Sequence, residues 1–223
     1  MAESGGAAKV RAVIFDYGGV LRREDGADFD EYAAGWGLPA GWLWAAFHDI
    51  PEYVLSRTGQ IGAAEYRAAV LGQLGRWLSP KDAEEALVGW EAIRTQDLWI
   101  EPEMDALLDR LRGRVRLGML SNAGRGARER LVREGVVARF DDVVCSGDVG
   151  LAKPDPEIFR LAASRLGVES DACAFVDDTL RHVEGARAVG MRAHHHHRKR
   201  HAELLAFLAE LGLLDDGAKA GPK

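Results

Sequence analysis

The chain has 223 residues, of which 47% are hydrophobic and 29% are charged, as is ordinary for a globular protein. Its 29 basic and 35 acidic residues give a net charge of −6, which argues against binding to nucleic acid. The amino-terminal region has no apolar segment longer than about six residues, so we expect no signal peptide, no membrane span and a cytoplasmic location.

Short apolar runs predict five β-strands, at residues 10–15, 115–120, 142–146, 173–177 and 190–194. Amphipathic stretches of helical length separate the last four runs. This alternation predicts an α/β fold with a doubly wound parallel sheet, a Rossmann-like core that carries helices on both faces. The two cysteines, Cys145 and Cys173, lie in predicted strands and are expected to be small buried residues without chemistry.

A long helical insert separates the first predicted strand from the second. A βα crossover needs only about a dozen residues, so we interpret residues 24–98 as an inserted helical cap domain. Residues 1–23 and 99–215 then form the core, and residues 216–223 form a flexible tail. Aromatic residues of the insert, such as Trp36, are expected to pack its interior. The insert residues that could instead reach a substrate are Trp42, Trp44, His48, Tyr53 and Arg57.

Residues that could take part in catalysis or ligand binding follow four of the predicted strands. Asp16 follows the first, Ser121 and Asn122 follow the second, Lys153 comes after the third, and "VDD" at 176–178 ends the fourth. In an open α/β sheet, ligands bind at the carboxyl ends of the strands, so these residues are expected to share one site. Taken singly, Ser121 or Asn122 could also be the N-cap of the next helix.

The chemistry that these residues permit is phosphoryl transfer. The carboxylates of Asp16, Asp177 and Asp178 would suit a hard cation, and Mg²⁺ fits a small site of oxygen ligands. Ser121, the Lys153 ammonium and the backbone N–H groups that open the next helix would face a phosphate group.

The order of these motifs resembles the haloacid dehalogenase-like hydrolase superfamily over residues 9–212, and the insert resembles its type-1 helical cap. The resemblance implies a Mg²⁺-dependent phosphatase. Its substrate would be a small-molecule phosphate monoester, such as a sugar phosphate, and its intermediate an aspartyl-phosphate.

The resemblance also implies roles for single residues. Asp16 would be the nucleophile and would bind the metal together with the Gly18 carbonyl, Asp177 and Asp178. Those that would hold the phosphate are Ser121, Asn122 and Lys153, with Lys153 also catalytic.

Gly18 departs from the phosphatase pattern, in which a second Asp at this position acts as general acid and base. Such help is typically worth about 10²–10⁴ in rate. "FDYGGVL" resembles a subgroup with Gly here that includes sugar-1-phosphate phosphatases. Such an enzyme would need a good leaving group or a substitute acid, Glu24 or Asp25. A positive φ is another reason for a glycine at this position.

Two alternatives to a working phosphatase stay open. One is a catalytically impaired phosphate binder. The other is a 2-haloacid dehalogenase, whose leaving halide needs no proton but which has no evident use for Lys153 beside Asp177 and Asp178.

The carboxyl-terminal part has two further features. We interpret the histidines at 194–197 as a solvated strand end, and no function is assigned to them. Residues 201–214 predict a last amphipathic helix. The sequence leaves open whether the protein is a monomer or a homodimer.

Overall fold

The structure is a computed structural model that describes residues 8–22, 26–96 and 100–215. Its centre is a sheet in which all the strand pairings are parallel. The strands are β1 (Ala12–Phe15), β2 (Arg116–Ser121), β3 (Asp142–Cys145), β4 (Cys173–Asp177) and β5 (Arg192–His195). All five lie within one or two residues of the predicted runs, and their order across the sheet is β3-β2-β1-β4-β5.

Helices connect the strands and also form a separate group between β1 and β2. That group consists of α1 (Gly26–Gly35), α2 (Trp42–His48), α3 (Pro51–Arg57), α4 (Ala63–Leu74) and α5 (Pro80–Gln96). The others are α6 (Pro102–Leu111), α7 (Ala127–Arg133), α8 (Ser146–Val149), α9 (Pro156–Arg165), α10 (Leu180–Ala188) and α11 (His201–Glu210). None of the described helices has the length and apolar character that crossing a membrane requires.

Strand β1 is buried on both faces, which explains why its sequence is continuously apolar rather than alternating. Val13 and Phe15 belong to a cluster with leucines of α6 and α11 on one side of the sheet. Ala12 and Ile14 belong to a second cluster, with apolar residues of α9 and α10, on the other side. Because successive strand side chains point to opposite faces, this division confirms the doubly wound core.

Helices α1 to α5 surround a third apolar cluster of their own, which includes Phe29, Leu43, Leu74 and Leu87. Trp36 and Trp42 are partly buried against this cluster, as expected of residues that pack the insert. Trp44 is 40% exposed, and its ring stacks on that of His48 at a centroid distance of 3.7 Å. The predicted limits of the insert fall at residues outside the described ranges, so the domain boundaries stay predictions.

The histidine run is not wholly solvated, which corrects the interpretation above. His196 is buried, and its backbone N–H donates to the Asp177 carbonyl at 2.8 Å. The ring of His194 stacks on Phe207 of α11. Burial lowers the pKa of His196 to about 4, so this imidazole is neutral at pH 7. The run closes the β5 edge against the last helix, which ends at Glu210 rather than at residue 214.

Both cysteines are buried, as expected. Burial raises the pKa of the Cys145 and Cys173 thiols to about 12. A thiol with so high a pKa forms little thiolate, so neither cysteine is a nucleophile at neutral pH.

The sheet order places β1 next to β4 at the point where the chain connections change direction. Parallel pairing aligns Phe15 with Val176, so the residues that follow them, Asp16 and Asp177, leave the sheet side by side. Ligands in open α/β sheets bind in the crevice outside the carboxyl ends at such a switch point. The fold therefore brings the first and fourth motifs together.

Candidate active site

Asp16 is the first residue beyond β1. Its backbone N–H continues the sheet by donating to the Val176 carbonyl at 2.9 Å. This bond fixes the backbone from which the Asp16 side chain projects. Asp16 Oδ1 accepts the Tyr17 N–H at 2.7 Å and lies 2.8 Å from Lys153 Nζ. Both of these contacts fall on Oδ1, which leaves Oδ2 as the carboxylate oxygen for other partners. Burial raises the pKa of Asp16 well above its ordinary value, and the Lys153 charge offsets part of that rise.

The Lys153 ammonium lies between two carboxylates. Its Nζ is 2.6 Å from Asp177 Oδ2 as well as 2.8 Å from Asp16 Oδ1, and its side chain is only 1% exposed. Burial alone would lower the pKa of Lys153, but the two carboxylates hold it above its usual value. Lys153 is therefore charged and neutralises much of the negative charge of the site.

Asn122 fixes the position of Lys153 through the backbone. Its Nδ2 donates to the Lys153 carbonyl at 2.9 Å, and its Oδ1 accepts the Lys153 N–H at 2.9 Å. The side chain that was expected to hold phosphate thus bonds to the main chain on both sides of the lysine. In this arrangement Asn122 positions Lys153 and contributes to the site through that residue.

Asp177, at the end of β4, is wholly buried and bonded on both oxygens. Its Oδ1 accepts the Thr179 N–H at 2.8 Å and lies 3.1 Å from His182 Nδ1. Burial would raise the pKa of Asp177, but the Lys153 charge and the His182 hydrogen bond outweigh it and lower this pKa to about 2. Asp177 is therefore an anion that orients Lys153.

Asp178 completes a group of three carboxylates. One oxygen from each of Asp16, Asp177 and Asp178 lies within 4.8 Å of the others, a spacing that a single ion can bridge. The Asp178 carboxylate lies against the backbone of Gly19, where a Cβ would be only 2.1 Å from Oδ2. A cluster made only of oxygen donors fits a hard cation such as Mg²⁺, and Gly19 leaves the room that the Asp178 carboxylate needs.

A family comparison agrees with this geometry. The model of the haloacid dehalogenase-like hydrolase family matches residues 10–190, which include all four motifs. The chain belongs to this family.

Curated relatives of this haloacid dehalogenase-like hydrolase include several phosphatases. It is 29% identical to a phosphatase of Mycobacterium tuberculosis over 94% of this chain and 98% of that protein. It is 35% identical to N-acylneuraminate-9-phosphatase of Rattus norvegicus over 51% of this chain and 46% of the relative. It is 41% identical to phosphoserine phosphatase of Thermus thermophilus over 41% and 38% of the two chains. The chain thus spans about half the length of the N-acylneuraminate-9-phosphatase, or less in the case of the phosphoserine phosphatase.

Solved structures of the family share the fold. A family enzyme of Bacteroides thetaiotaomicron, crystallised with magnesium and inorganic phosphate, matches with a TM-score of 0.61 at 20% identity over 83% of this chain and 93% of that chain. A structure described as a dehalogenase matches with a TM-score of 0.63 at 22% identity over 86% and 85% of the chains. At these identities the likeness concerns the fold, and it does not choose between the two activities.

The loop after Asp16 corrects one expectation about the glycine pair. The positive φ, of 76°, belongs to Gly19, and Gly18 is not among the positive-φ glycines. Backbone bonds from the Leu21 and Arg22 N–H groups to the Tyr17 carbonyl close the loop. Gly18 is therefore not required for left-handed backbone. Glu24 and Asp25, the suggested substitute acids, lie outside the described residues.

The loop after β2 corrects a second expectation. Ser121 is buried at the end of β2, on the same edge as Asp16, but α7 begins only at Ala127 and its N-cap is Gly126. Neither Ser121 nor Asn122 is a helix cap. The N–H groups that follow Ser121 thus belong to a loop, which packs on α8 through a bond from the Gly147 N–H to the Ala123 carbonyl at 2.9 Å.

His182, which bonds to Asp177 from the first turn of α10, is a residue of the site that was not expected from the sequence. The ring is buried, and burial lowers the pKa of His182 despite the neighbouring carboxylate, so the imidazole is neutral. Because a carboxylate only accepts, Nδ1 is the protonated nitrogen and donates to Asp177. The available signal was a histidine beside Val183 on the buried face of the helix that follows the aspartate pair.

Proposed function

We propose that this protein is a Mg²⁺-dependent phosphatase that hydrolyses a small-molecule phosphate monoester through a phosphorylated Asp16. The observation that supports this most is the position of the Lys153 ammonium, bonded to Asp16 and Asp177 at the edge where Asp178 adds a third carboxylate. A buried cation beside a nucleophile neutralises the charge of a phosphoryl group during transfer. A dehalogenase has no evident task for the metal site that the third carboxylate completes.

The proposed nucleophilic atom is Asp16 Oδ2. Tyr17 and Lys153 both bond to Oδ1, which orients the carboxylate and leaves the other oxygen to attack phosphorus. In the first step a bond forms between Oδ2 and phosphorus, and the bond from phosphorus to the ester oxygen breaks, so that the alcohol leaves as its anion and takes a proton from water. Water then attacks the aspartyl-phosphate, which releases inorganic phosphate and restores the carboxylate. Ser121 and Lys153 would hold the phosphate group on the sheet edge, and Asn122 would position Lys153.

The metal would be held by Asp16, Asp178 and the Gly18 carbonyl, with Asp177 as the remaining carboxylate of the cluster. When bound, Mg²⁺ would stabilise the negative charge that develops on the phosphoryl oxygens. Asp177 already accepts hydrogen bonds from Thr179, His182 and Lys153, so the main role that we propose for it is to hold Lys153 in place.

Helices α1 to α5 are proposed as the cap that covers the substrate. They pack around their own core, and the end of α3 contacts the loop after β2 and the backbone of α8. The substrate would bind between this helical unit and the sheet edge.

The experiment that tests the proposed function is phosphate release from a panel of esters with Mg²⁺ and with EDTA. The panel contains para-nitrophenyl phosphate, sugar phosphates, phosphoserine and an N-acylneuraminate phosphate, the last two because relatives are named for them. We expect release with Mg²⁺ and a loss of at least about tenfold with EDTA, since the hard cation supplies charge that Lys153 alone does not. Full activity in EDTA, or chloride release from a chlorinated acid in place of phosphate release, would contradict the proposal.

Replacing Gly19 should weaken metal binding specifically. Gly19→Ala places a Cβ on the position of Asp178 Oδ2 and should lower the affinity for Mg²⁺ by about 10–100-fold, as shifting the support of a ligand typically does. Gly113→Ala is the matched control, because Gly113 has a φ of 78° and a Cβ added there would meet no atom of the described residues within 4 Å. Both variants should lose about 1–2 kcal/mol of stability from left-handed strain. If calorimetry gave Gly19→Ala and Gly113→Ala the same affinity for Mg²⁺, the role given to Gly19 would be refuted.

The glycine at position 18 predicts a strong dependence on the leaving group. Without a built-in acid, kcat/KM should rise steeply as the leaving oxygen becomes more acidic, because aryl and acyl phosphates depart without a proton. Gly18→Asp should then raise activity most on alkyl phosphates, since the backbone at Gly18 is not left-handed. The measurement is kcat/KM over a graded ester series for both proteins. A flat series for the unmodified protein would mean that another residue supplies the proton.

A further inference from the structure

Arg57, the last residue of α3, brings a positive charge to the edge of the sheet. Its Nη1 would be 3.6 Å from a Cβ on Gly124, three residues after Ser121. Two residues later, Gly59 lies so close to Gly147 of α8 that a Cβ there would be 2.3 Å from its carbonyl oxygen. The segment 56–59 thus rests on the loop that follows Ser121, and the Arg57 guanidinium lies against Gly124 of that same loop.

Two aromatic rings hold the guanidinium in place. Its central carbon lies 4.5 Å from the ring centroid of Tyr53 and 5.2 Å from that of Tyr66. Tyr66 is fixed in turn, because its hydroxyl donates to the Phe47 carbonyl at 2.6 Å. Stacking of this kind pre-organises a planar cation, so little side-chain entropy is lost when it binds a ligand.

Arg57 also has no acidic partner among the described residues. No carboxylate of those residues lies within 4 Å of its nitrogens, its Nη1 donates to Ser56 Oγ at 3.2 Å, and Nε is buried. Arg67 of the same helical unit differs, because it pairs with Glu84 at 2.7 Å. A half-buried cation without a counter-ion is costly unless a ligand supplies the negative charge.

We propose that Arg57 is a specificity-determining residue that binds a carboxylate on the non-reacting part of the substrate. This inference rests on the proposed function and adds the substrate class: phosphate monoesters of small carboxylic acids. A carboxylate is chosen over a second phosphate because one guanidinium matches one negative charge, whereas a phosphate monoester carries about −1.5 to −2 at pH 7.

The test compares O-phosphoserine with its carboxamide, two esters that differ in the charge of one group. The readout is the ratio of their kcat/KM values for the unmodified protein, Arg57→Gln, Arg57→Lys and Arg76→Gln. Arg76 is an exposed arginine of the same helical unit and serves as the matched control. We expect the unmodified protein to favour the carboxylate ester by about tenfold or more, as a charge-assisted hydrogen bond allows. Arg57→Gln should bring the ratio close to one, Arg57→Lys should restore part of it, and Arg76→Gln should leave it unchanged.

A merely structural role for Arg57 would lower activity on both esters and leave their ratio intact, which would overturn the proposal. So would a ratio near one in the unmodified protein, or a preference for a bisphosphate that depends on Arg57. Binding of the same two esters to Asp16→Asn, measured by calorimetry, repeats the comparison without turnover. Failure of the phosphatase function would appear as no phosphate release from any ester, whereas failure of this inference alone would leave release intact and the binding preference absent.

Discussion

Asp16→Asn is expected to lower kcat by about 10³-fold or more while the protein stays folded. The amide keeps the size of the carboxylate but lacks the charged oxygen that attacks phosphorus. Lys153 retains its bond to Asp177, so the site does not lose its main ion pair. Phosphate release and a thermal melt are the two measurements. The matched control is Asp215→Asn, because the Asp215 side chain is 92% exposed, and its turnover should be unchanged.

The opposite result would have a clear meaning. Turnover close to that of the unmodified protein in Asp16→Asn would remove the covalent mechanism and leave direct attack by water as the route. A variant that unfolds would instead show that the Asp16 charge is needed to hold Lys153, which the melt detects separately from the kinetics.

Lys153→Met should be the most destabilising of these substitutions, with a loss of about 3–5 kcal/mol in the free energy of unfolding. The ammonium is buried between Asp16 and Asp177, and its removal leaves two buried carboxylates without a cation. Lys81→Met, on a side chain that is 81% exposed, should change stability by less than about 0.5 kcal/mol. Urea unfolding of both variants measures the difference.

The stability that Lys153→Met loses, measured as the free energy of unfolding, should also depend on pH. With the lysine present, burial already raises the pKa of Asp16; without it, the Lys153 charge no longer offsets the burial of Asp177, so the pKa of Asp177 also rises towards or above the unfolded value, which is about 4. The folded variant then binds more protons than the unfolded chain, so its stability falls as pH rises from about 4 towards 7. Adding Asp177→Asn should recover part of the loss, because it removes one stranded charge. A loss that is constant over this range, with no recovery in the double variant, would contradict the ion-pair account.

The sheet and the composition of the site could be predicted from the sequence for definite reasons. Strand β1 is buried on both faces, so its apolar run is continuous and easily recognised. Asp16 follows β1, Lys153 lies beyond β3, and Asp177 is the last residue of β4. The carboxyl ends of parallel strands meet at one edge of the sheet. These inferences need only local pattern and one general rule of α/β folds.

The remaining features depend on contacts between distant parts of the chain. Gly19 rather than Gly18 has the left-handed backbone, and a Cβ on Gly19 would meet Asp178, which is far away in the sequence. Asn122 bonds to the backbone of Lys153, a pairing that no spacing indicates. The isolated Arg57 charge likewise emerges only when the surrounding acidic residues have been located. Tertiary packing decides each of these points.

The most direct test of the central claim is to detect the phosphoryl group on Asp16. The protein is mixed with Mg²⁺ and a rapidly cleaved aryl phosphate, quenched in acid within the first turnover, digested and analysed by mass spectrometry. We expect a phosphorylated peptide whose modification is on Asp16, in an amount that rises before steady-state release, and none in Asp16→Asn. Full release of phosphate with no phosphorylated Asp16 at any time during the turnover would contradict the account.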